Sequence, residues 1–200
     1  SEKPQPQPKL EMGPMILCVD TSASMQGGAE QVAKAVVLEA MRVAAKQKRR
    51  CYVYAFSGPD EVVERELALS HDGLEGVIAF LTQTFHGGTD IGAPLERAID
   101  RLTQEEWQLA DLVIASDGEF GATKAVVDRV NRAKQELGLR VQGILIGDRE
   151  TIGMLELCSD IFWVKDWRKY GGNNAESPVH SKSLTAMYFP NALRSGIQDT

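Results

Sequence analysis

The stretch "MILCVDTSASMQGG", residues 15–28, runs five apolar residues straight into a carboxylate, three hydroxyls and a glycine pair. An apolar run without alternation fits a strand buried on both faces, as in the interior of a parallel sheet. Beyond the glycines, Val32, Val36, Ala40, Val43 and Ala44 recur at helical spacing, so the stretch reads as strand, polar turn, helix. Three roles stay open for Asp20, Thr21, Ser22 and Ser24: capping the helix, holding a metal ion, or attacking a substrate.

The same unit recurs along the chain. Further buried strands are expected over Cys51–Phe56, Leu112–Ala115, Val141–Ile146 and Ile161–Val164. Helical faces are formed by Leu74, Val77, Ile78, Leu81 and Phe85 behind a Ser70 cap, and by Leu95, Ala98, Ile99 and Leu102 after an opening at Pro94. A further face is carried by Val126, Val127, Val130, Ala133 and Leu137 ahead of Gly138. One segment breaks the alternation: Val62–Leu67 follows the strand at Cys51 after a turn too short for a parallel crossover, and is expected to pair antiparallel at an edge. The expected fold is α/β, a Rossmann-like three-layer α/β/α arrangement on a mostly parallel six-stranded sheet with one antiparallel edge strand. Such sheets place ligands at the carboxyl ends of their strands, where the strand order reverses. The loops of interest are those after Val19, Phe85 and Ala115.

Composition narrows the function. The 200 residues, 43% of them hydrophobic, suffice for one domain with a filled core. A formal charge of −6 with mixed acids and bases leaves no basic stripe, so nucleic acid is not an expected partner. No apolar run approaches the roughly 20 residues that span a bilayer. The opening SEKPQPQPKLEMG lacks the layout of a signal peptide and reads as a linker over residues 1–12. Cys18, Cys51 and Cys158 stand singly, without metal or disulfide spacing, and fit buried thiols of a reducing compartment. A cytoplasmic location follows as the expectation. The domain proper is expected over 13–166, with an irregular tail over 167–200 whose aromatics, together with Trp163, pack over the sheet edge.

The three loops carry, in order, Asp20-Thr21-Ser22-Ala23-Ser24, Gly87-Gly88-Thr89-Asp90 and Ser116-Asp117-Gly118-Glu119. Every polar group in these motifs is a hard oxygen, which selects Mg²⁺ or Mn²⁺, ahead of Ca²⁺, over zinc or copper. Residues two apart on a turn leaving a strand can point to one side, so Ser22 and Ser24 can share an ion with Asp20 beneath. The glycine pair lets the second loop approach closely. Asp90 and Glu119 read as solvated loop acids.

On these residues the chain resembles a von Willebrand factor A domain with a metal-ion-dependent adhesion site, whose motif is Asp-x-Ser-x-Ser, then Thr, then Asp. Ala23 stands where many members have glycine. The resemblance implies that Ser22, Ser24 and Thr89 bind the ion directly, that Asp20 and Asp117 act through water or hydrogen bonds, and that a partner's Asp or Glu fills the open position. The stretches CVDTSASM, RRCYVYAFS, FLTQTFHGGTDIGAPLERAIDRL and ADLVIASDGEF further resemble the ViaA-like subgroup and its CbbO-type relatives. That likeness implies a C-terminal domain of a larger protein, and a MoxR-type AAA+ ATPase or its substrate as partner.

Catalysis is the rival. The same oxygens could position Mg²⁺ over a phosphoester for hydrolysis, but the chain has no Gly-x-x-x-x-Gly-Lys-Ser/Thr loop and no second carboxylate two residues beyond Asp20. A serine hydrolase built on Ser22 or Ser24, His86 and Asp117 would lack a Gly-x-Ser-x-Gly elbow, and His86 reads as a packing or surface residue. A structural domain with a vacant site is the third possibility. The expected outcome is binding without turnover, lost in Asp20→Ala without loss of the fold.

Overall fold

The computed structural model describes residues 13–68, 70 and 73–170. The expected linker over 1–12 and the whole of the tail beyond Tyr170, with Tyr188 and Phe189, lie outside these residues. Six strands are present: β1 (Met15–Asp20), β2 (Cys51–Phe56), β3 (Val62–Leu67), β4 (Asp111–Ser116), β5 (Val141–Ile146) and β6 (Asp160–Val164). They form one sheet in the order β3-β2-β1-β4-β5-β6. Every neighbouring pair is parallel except β2 with β3, which is antiparallel. The order reverses between β1 and β4, so their carboxyl ends flank the crevice where such folds hold ligands.

Five α-helices cover the two faces: α1 (Gly28–Lys46), α2 (Leu74–Thr82), α3 (Gly92–Leu102), α4 (Lys124–Leu137) and α5 (Ile152–Leu157). All six residues of β1 are buried, and its side chains alternate between two cores. Leu17 and Val19 join α1 and α2 on one face, while Ile16 and Cys18 join α3, α4 and α5 on the other. Trp167 packs with the α1 side, and Trp163 on edge strand β6 packs on the opposite side with its indole N–H donating to the Gly147 carbonyl at 2.8 Å.

Helix ends differ from the sequence reading for identifiable reasons. Helix α2 starts behind Gly73 instead of at Ser70, whose hydroxyl accepts from the Gly73 N–H at 3.0 Å in the preceding turn. It stops at Thr82, short of Phe85, where the Thr82 hydroxyl turns back onto the Ile78 and Ala79 carbonyls. Ile78, read as facing the core, is 52% exposed. Helix α3 opens two residues before Pro94, which the first turn tolerates because its N–H would be unpaired there. Helix α4 matches its signals: the Thr123 hydroxyl accepts from Val126 N, and Gly138 closes the helix at φ 65°. Helix α5 has no counterpart in the sequence reading, since six residues are too few to display a helical period.

Candidate metal centre

Parallel register builds the centre. Val19 lies opposite Ala115, so one step further Asp20 and Ser116 are neighbours on the same face at the ends of β1 and β4. Both are fully buried, and the Ser116 hydroxyl donates to Asp20 Oδ2 at 2.6 Å. The other carboxylate oxygen accepts the Ser22 backbone N–H at 2.8 Å, which folds the chain back over the aspartate. No lysine or arginine pairs with Asp20 among the described residues. Burial pushes its carboxyl above the ordinary range; hydrogen bonds from Ser116 and Ser22 oppose this, and the nearby Asp117 charge adds to it.

Beyond Asp20 the chain makes a short 3-10 turn, Ala23–Met25, before α1 begins behind Gly27. None of the loop's hydroxyls caps α1: Ser22 makes no side-chain cap bond at the turn, and α1 is entered through Gly27, which has no side chain to cap with. The Ser22 and Ser24 hydroxyls instead meet each other at 3.1 Å. Ser22 is buried and Ser24 exposed, so the pair forms a polar floor open to solvent on one side.

The second loop is fastened to the first by backbone. Ala23 N–H donates to Gly87 O at 3.0 Å, and His86 N–H donates to Thr21 O at 2.9 Å. Fully buried Ser57, at the end of β2, grips the same loop: its hydroxyl donates to Gly88 O at 2.7 Å and accepts from Gly87 N at 3.0 Å. Thr89, two residues beyond the carbonyl that Ala23 bonds, is half-buried, and its hydroxyl makes no hydrogen bond among the described residues. Asp90, read as a solvated acid, accepts instead from Gly92 N at 2.9 Å and opens α3.

The third loop contributes Asp117. Its Oδ1 accepts the Glu119 N–H at 3.0 Å, while the Ser116 hydroxyl also accepts Gly118 N at 2.9 Å. Glu119 pairs with Arg149 at 3.0 Å on the surface. His86 makes no hydrogen bond to either serine among the described residues: its Nε2 meets Glu30 Oε2 at 2.6 Å, and Lys34 holds the other oxygen of Glu30 at 2.8 Å. That pairing leaves the serine–histidine–aspartate arrangement without a base on either serine.

Among the described residues no three carboxylate, imidazole or thiol groups gather as a ligand cluster. What the structure brings together is the Ser22–Ser24 hydroxyl pair beside Asp20, with Asp117 close enough for its charge to act on Asp20 and with the Thr89 loop fastened to the first. That donor chemistry fits a hard divalent cation. The three thiols lie elsewhere: Cys18 and Cys51 are buried, Cys158 is half-buried, and all are free. Burial pushes Cys51 and Cys158 up to about 12 and raises Cys18 as well, which makes them unreactive.

The family model for the von Willebrand factor type A domain matches residues 15–119, more than half of the chain. The chain belongs to the von Willebrand factor type A family. Solved structures share the fold of this domain. A von Willebrand factor type A protein from Catenulispora acidiphila is 15% identical with a TM-score of 0.63, over 88% of this chain and 42% of its own. An aerotolerance-related membrane protein from Bacteroides fragilis, carrying mutations to serines, is 14% identical with a TM-score of 0.60, over 92% of this chain and 99% of its own. BatB from Bacteroides thetaiotaomicron is 15% identical with a TM-score of 0.59, over 91% of this chain and 99% of its own. Von Willebrand factor A domains commonly mediate protein–protein interaction. No helix among the described residues is long and apolar enough to cross a membrane.

Three residues of this von Willebrand factor A domain escaped the sequence reading of its site. Ser116 was visible beside Asp117, but its role depends on a bond across 96 positions of sequence. Ser57 follows β2 as a lone serine with no local signal. Glu30 sits in the first turn of α1 and looks like an ordinary dipole-favoured acid.

Proposed function

We propose that the domain is a divalent-metal-dependent protein interaction module with no catalytic role. Ser22, Ser24 and Thr89 would supply hydroxyl oxygens to Mg²⁺ or Mn²⁺, and Asp20 and Asp117 the balancing negative charge, directly or through water. Neutral ligands leave such an ion short of negative charge, so when bound it offers a position for a carboxylate from a partner protein. The observation that carries this reading is the Ser22–Ser24 hydroxyl pair at 3.1 Å beside buried Asp20, which has no cationic partner among the described residues. The chain's own groups hold the arrangement ready: Ser116 and Ser22 N–H orient Asp20, and Ser57 fixes the loop that presents Thr89.

The resemblance of four stretches to ViaA-like and CbbO-type domains supports a MoxR-type AAA+ ATPase, or its substrate, as the acidic partner. It also supports a cytoplasmic location and a larger parent protein. Hydrolysis of a phosphoester remains the competing use of these oxygens; turnover of a generic phosphatase substrate that disappears in Ser24→Ala would revive it.

Ser24→Ala is the cleanest test because Ser24 is exposed. Asp20→Ala is less clean than its place in the motif suggests, because it would strand two buried donors, the Ser116 hydroxyl and Ser22 N–H, at a cost of about 1–3 kcal/mol each. At about 100 times its Kd, Mg²⁺ stabilises a native protein by about 2.7 kcal/mol, which for a domain of this size raises the Tm by roughly 5–10 °C. Thermal melts with Mg²⁺ and with EDTA should show that rise in wild type and lose it in Ser24→Ala, whose EDTA melt stays unchanged. An equal rise in both proteins would refute the assignment.

A further inference from the structure

One residue beyond Asp117 the chain enters a second surface feature. Residues 118–122 form one wall of a cavity of about 540 Å³, and residues 149–153 with Glu156 form the other. The two walls are held at close range by absent side chains. A Cβ on Gly153 would stand 2.8 Å from the Phe120 ring, one on Gly118 would stand 2.3 Å from the Thr151 hydroxyl, and one on Gly147 would stand 3.3 Å from Asp117 O. These close approaches bring the two walls together, and Gly147 lies against the backbone of Asp117.

Beside the cavity α5 carries an apolar ledge, of which Ile152 lines the cavity itself. Ile152 and Leu155, three residues apart on one side of α5, are 74% and 55% exposed, while Met154 and Leu157 on the other side are fully buried in the core. The rim is acidic. Glu119 is neutralised by Arg149, but Glu150 and Glu156 are exposed and make no ion pair among the described residues.

Resting on the metal-centre reading above, we infer that Ile152, Leu155 and the Glu150/Glu156 rim form the second half of the partner's docking site. The occupant is a segment of a partner protein with alternating chemistry. An acidic side chain goes to the metal centre, a large apolar side chain lies on Ile152 and Leu155, and a lysine or arginine faces Glu150 and Glu156. Charge complementarity sets that order: a second acidic residue at the rim would meet two unpaired glutamates, whereas at the centre it meets the cation. Specificity among acidic partners then comes from the ledge, because the ion alone recognises any carboxylate.

The test uses random peptides displayed on phage and selected on the 200-residue chain in Mg²⁺. Recovered peptides are synthesised and titrated against wild type, Ile152→Ser/Leu155→Ser, Glu150→Lys/Glu156→Lys and Ser24→Ala, each with Mg²⁺ and with EDTA. Unchanged circular dichroism confirms that each variant is folded. The expected peptides combine acidic, large apolar and basic residues. Their binding should weaken about tenfold or more in the ledge and rim variants, and vanish in EDTA and in Ser24→Ala. Binding that needs Mg²⁺ and Ser24 but ignores the ledge and rim variants overturns this inference and leaves the metal centre standing. Binding that needs the ledge but not Mg²⁺ overturns the metal centre, and the composite site with it. Recovery of no peptide overturns the inference too. So does a concentration-dependent dimer abolished by Ile152→Ser/Leu155→Ser, which assigns the ledge to a second copy. Amide protection of residues 171–200 lost in that same variant assigns the ledge to the chain's own C-terminal segment, with the same consequence.

Discussion

Single side chains decide whether the three loops act as one site. Glu30 is the clearest case, because it ties α1 to the loop that carries Thr89 through His86 at 2.6 Å while Lys34 balances its charge at 2.8 Å. Burial pushes its carboxyl up, but hydrogen bonds from Lys34 and His86 outweigh this and hold it below the ordinary glutamate range. A carboxyl with a depressed native pKa contributes stability that is complete above its unfolded pKa and is lost as pH falls through the native one. Glu30→Gln should therefore cost about 1–2 kcal/mol in urea unfolding near neutral pH, and the gap from wild type should close below about pH 4. A gap that persisted in acid would mean that Glu30 acts by shape and not by charge. Ser57→Ala probes the other anchor of this loop: losing a buried hydroxyl that both donates and accepts should cost about 1–3 kcal/mol. It should also shrink the Mg²⁺-dependent rise in Tm, since Thr89 is then less well held.

At the scale of elements, the same residue type has two consequences. Gly138 ends α4 at φ 65° with nothing near a prospective Cβ, so Gly138→Ala should cost about 1 kcal/mol from backbone strain alone. Gly118 sits at φ 74° between β4 and its loop, where a Cβ would stand 2.3 Å from the Thr151 hydroxyl and 3.1 Å from Leu145. Gly118→Ala should cost about 2–4 kcal/mol, strain and overpacking together. Melting both variants beside wild type checks the ranking; equal losses would show that the loop shifts freely away from α5. The strands and the longer helices were legible because each repeats its period over several residues. The Pro94 and Ser70 signals misplaced helix starts by a few residues, because Asp90 and Gly73 make the actual first turns. Helix α5 left no trace at all, yet it supplies the ledge beside the site.

The whole molecule is one sheet with a core on each face, and that geometry predicts its cooperativity. Trp107 is buried on the face of α3 and α4, whereas Trp167 packs on the face of α1. The two cores share β1, β4 and β5, whose side chains alternate between them, so neither can melt while the other keeps its backing. Single-tryptophan variants retaining Trp107 or Trp167 should report the same unfolding midpoint as far-ultraviolet circular dichroism. Separate midpoints would mean that the layers unfold independently. The antiparallel edge was legible because the link between β2 and β3 is too short for any crossover. The strand order, and with it the neighbourhood of β1 and β4, was left to the expectation attached to such folds.

By itself the sequence determined what depends on neighbouring residues: buried strands from unbroken apolar runs, helices from their period, one antiparallel edge from a short turn. It also showed oxygen-bearing groups in three loops, two of them leaving β1 and β4 and the third, which carries Thr89, joining α2 to α3. Only the tertiary structure decided which partners those groups take, because hydrogen bonds and register act between positions far apart in the chain. The parallel pairing of β1 with β4 set Ser116 on Asp20, the fold-back at Ser22 brought two hydroxyls to 3.1 Å, and Glu30 took the Nε2 of His86. Local order is written in local spacing, whereas bonds between loops far apart in the chain exist only once the sheet and the α2–α3 loop are in place.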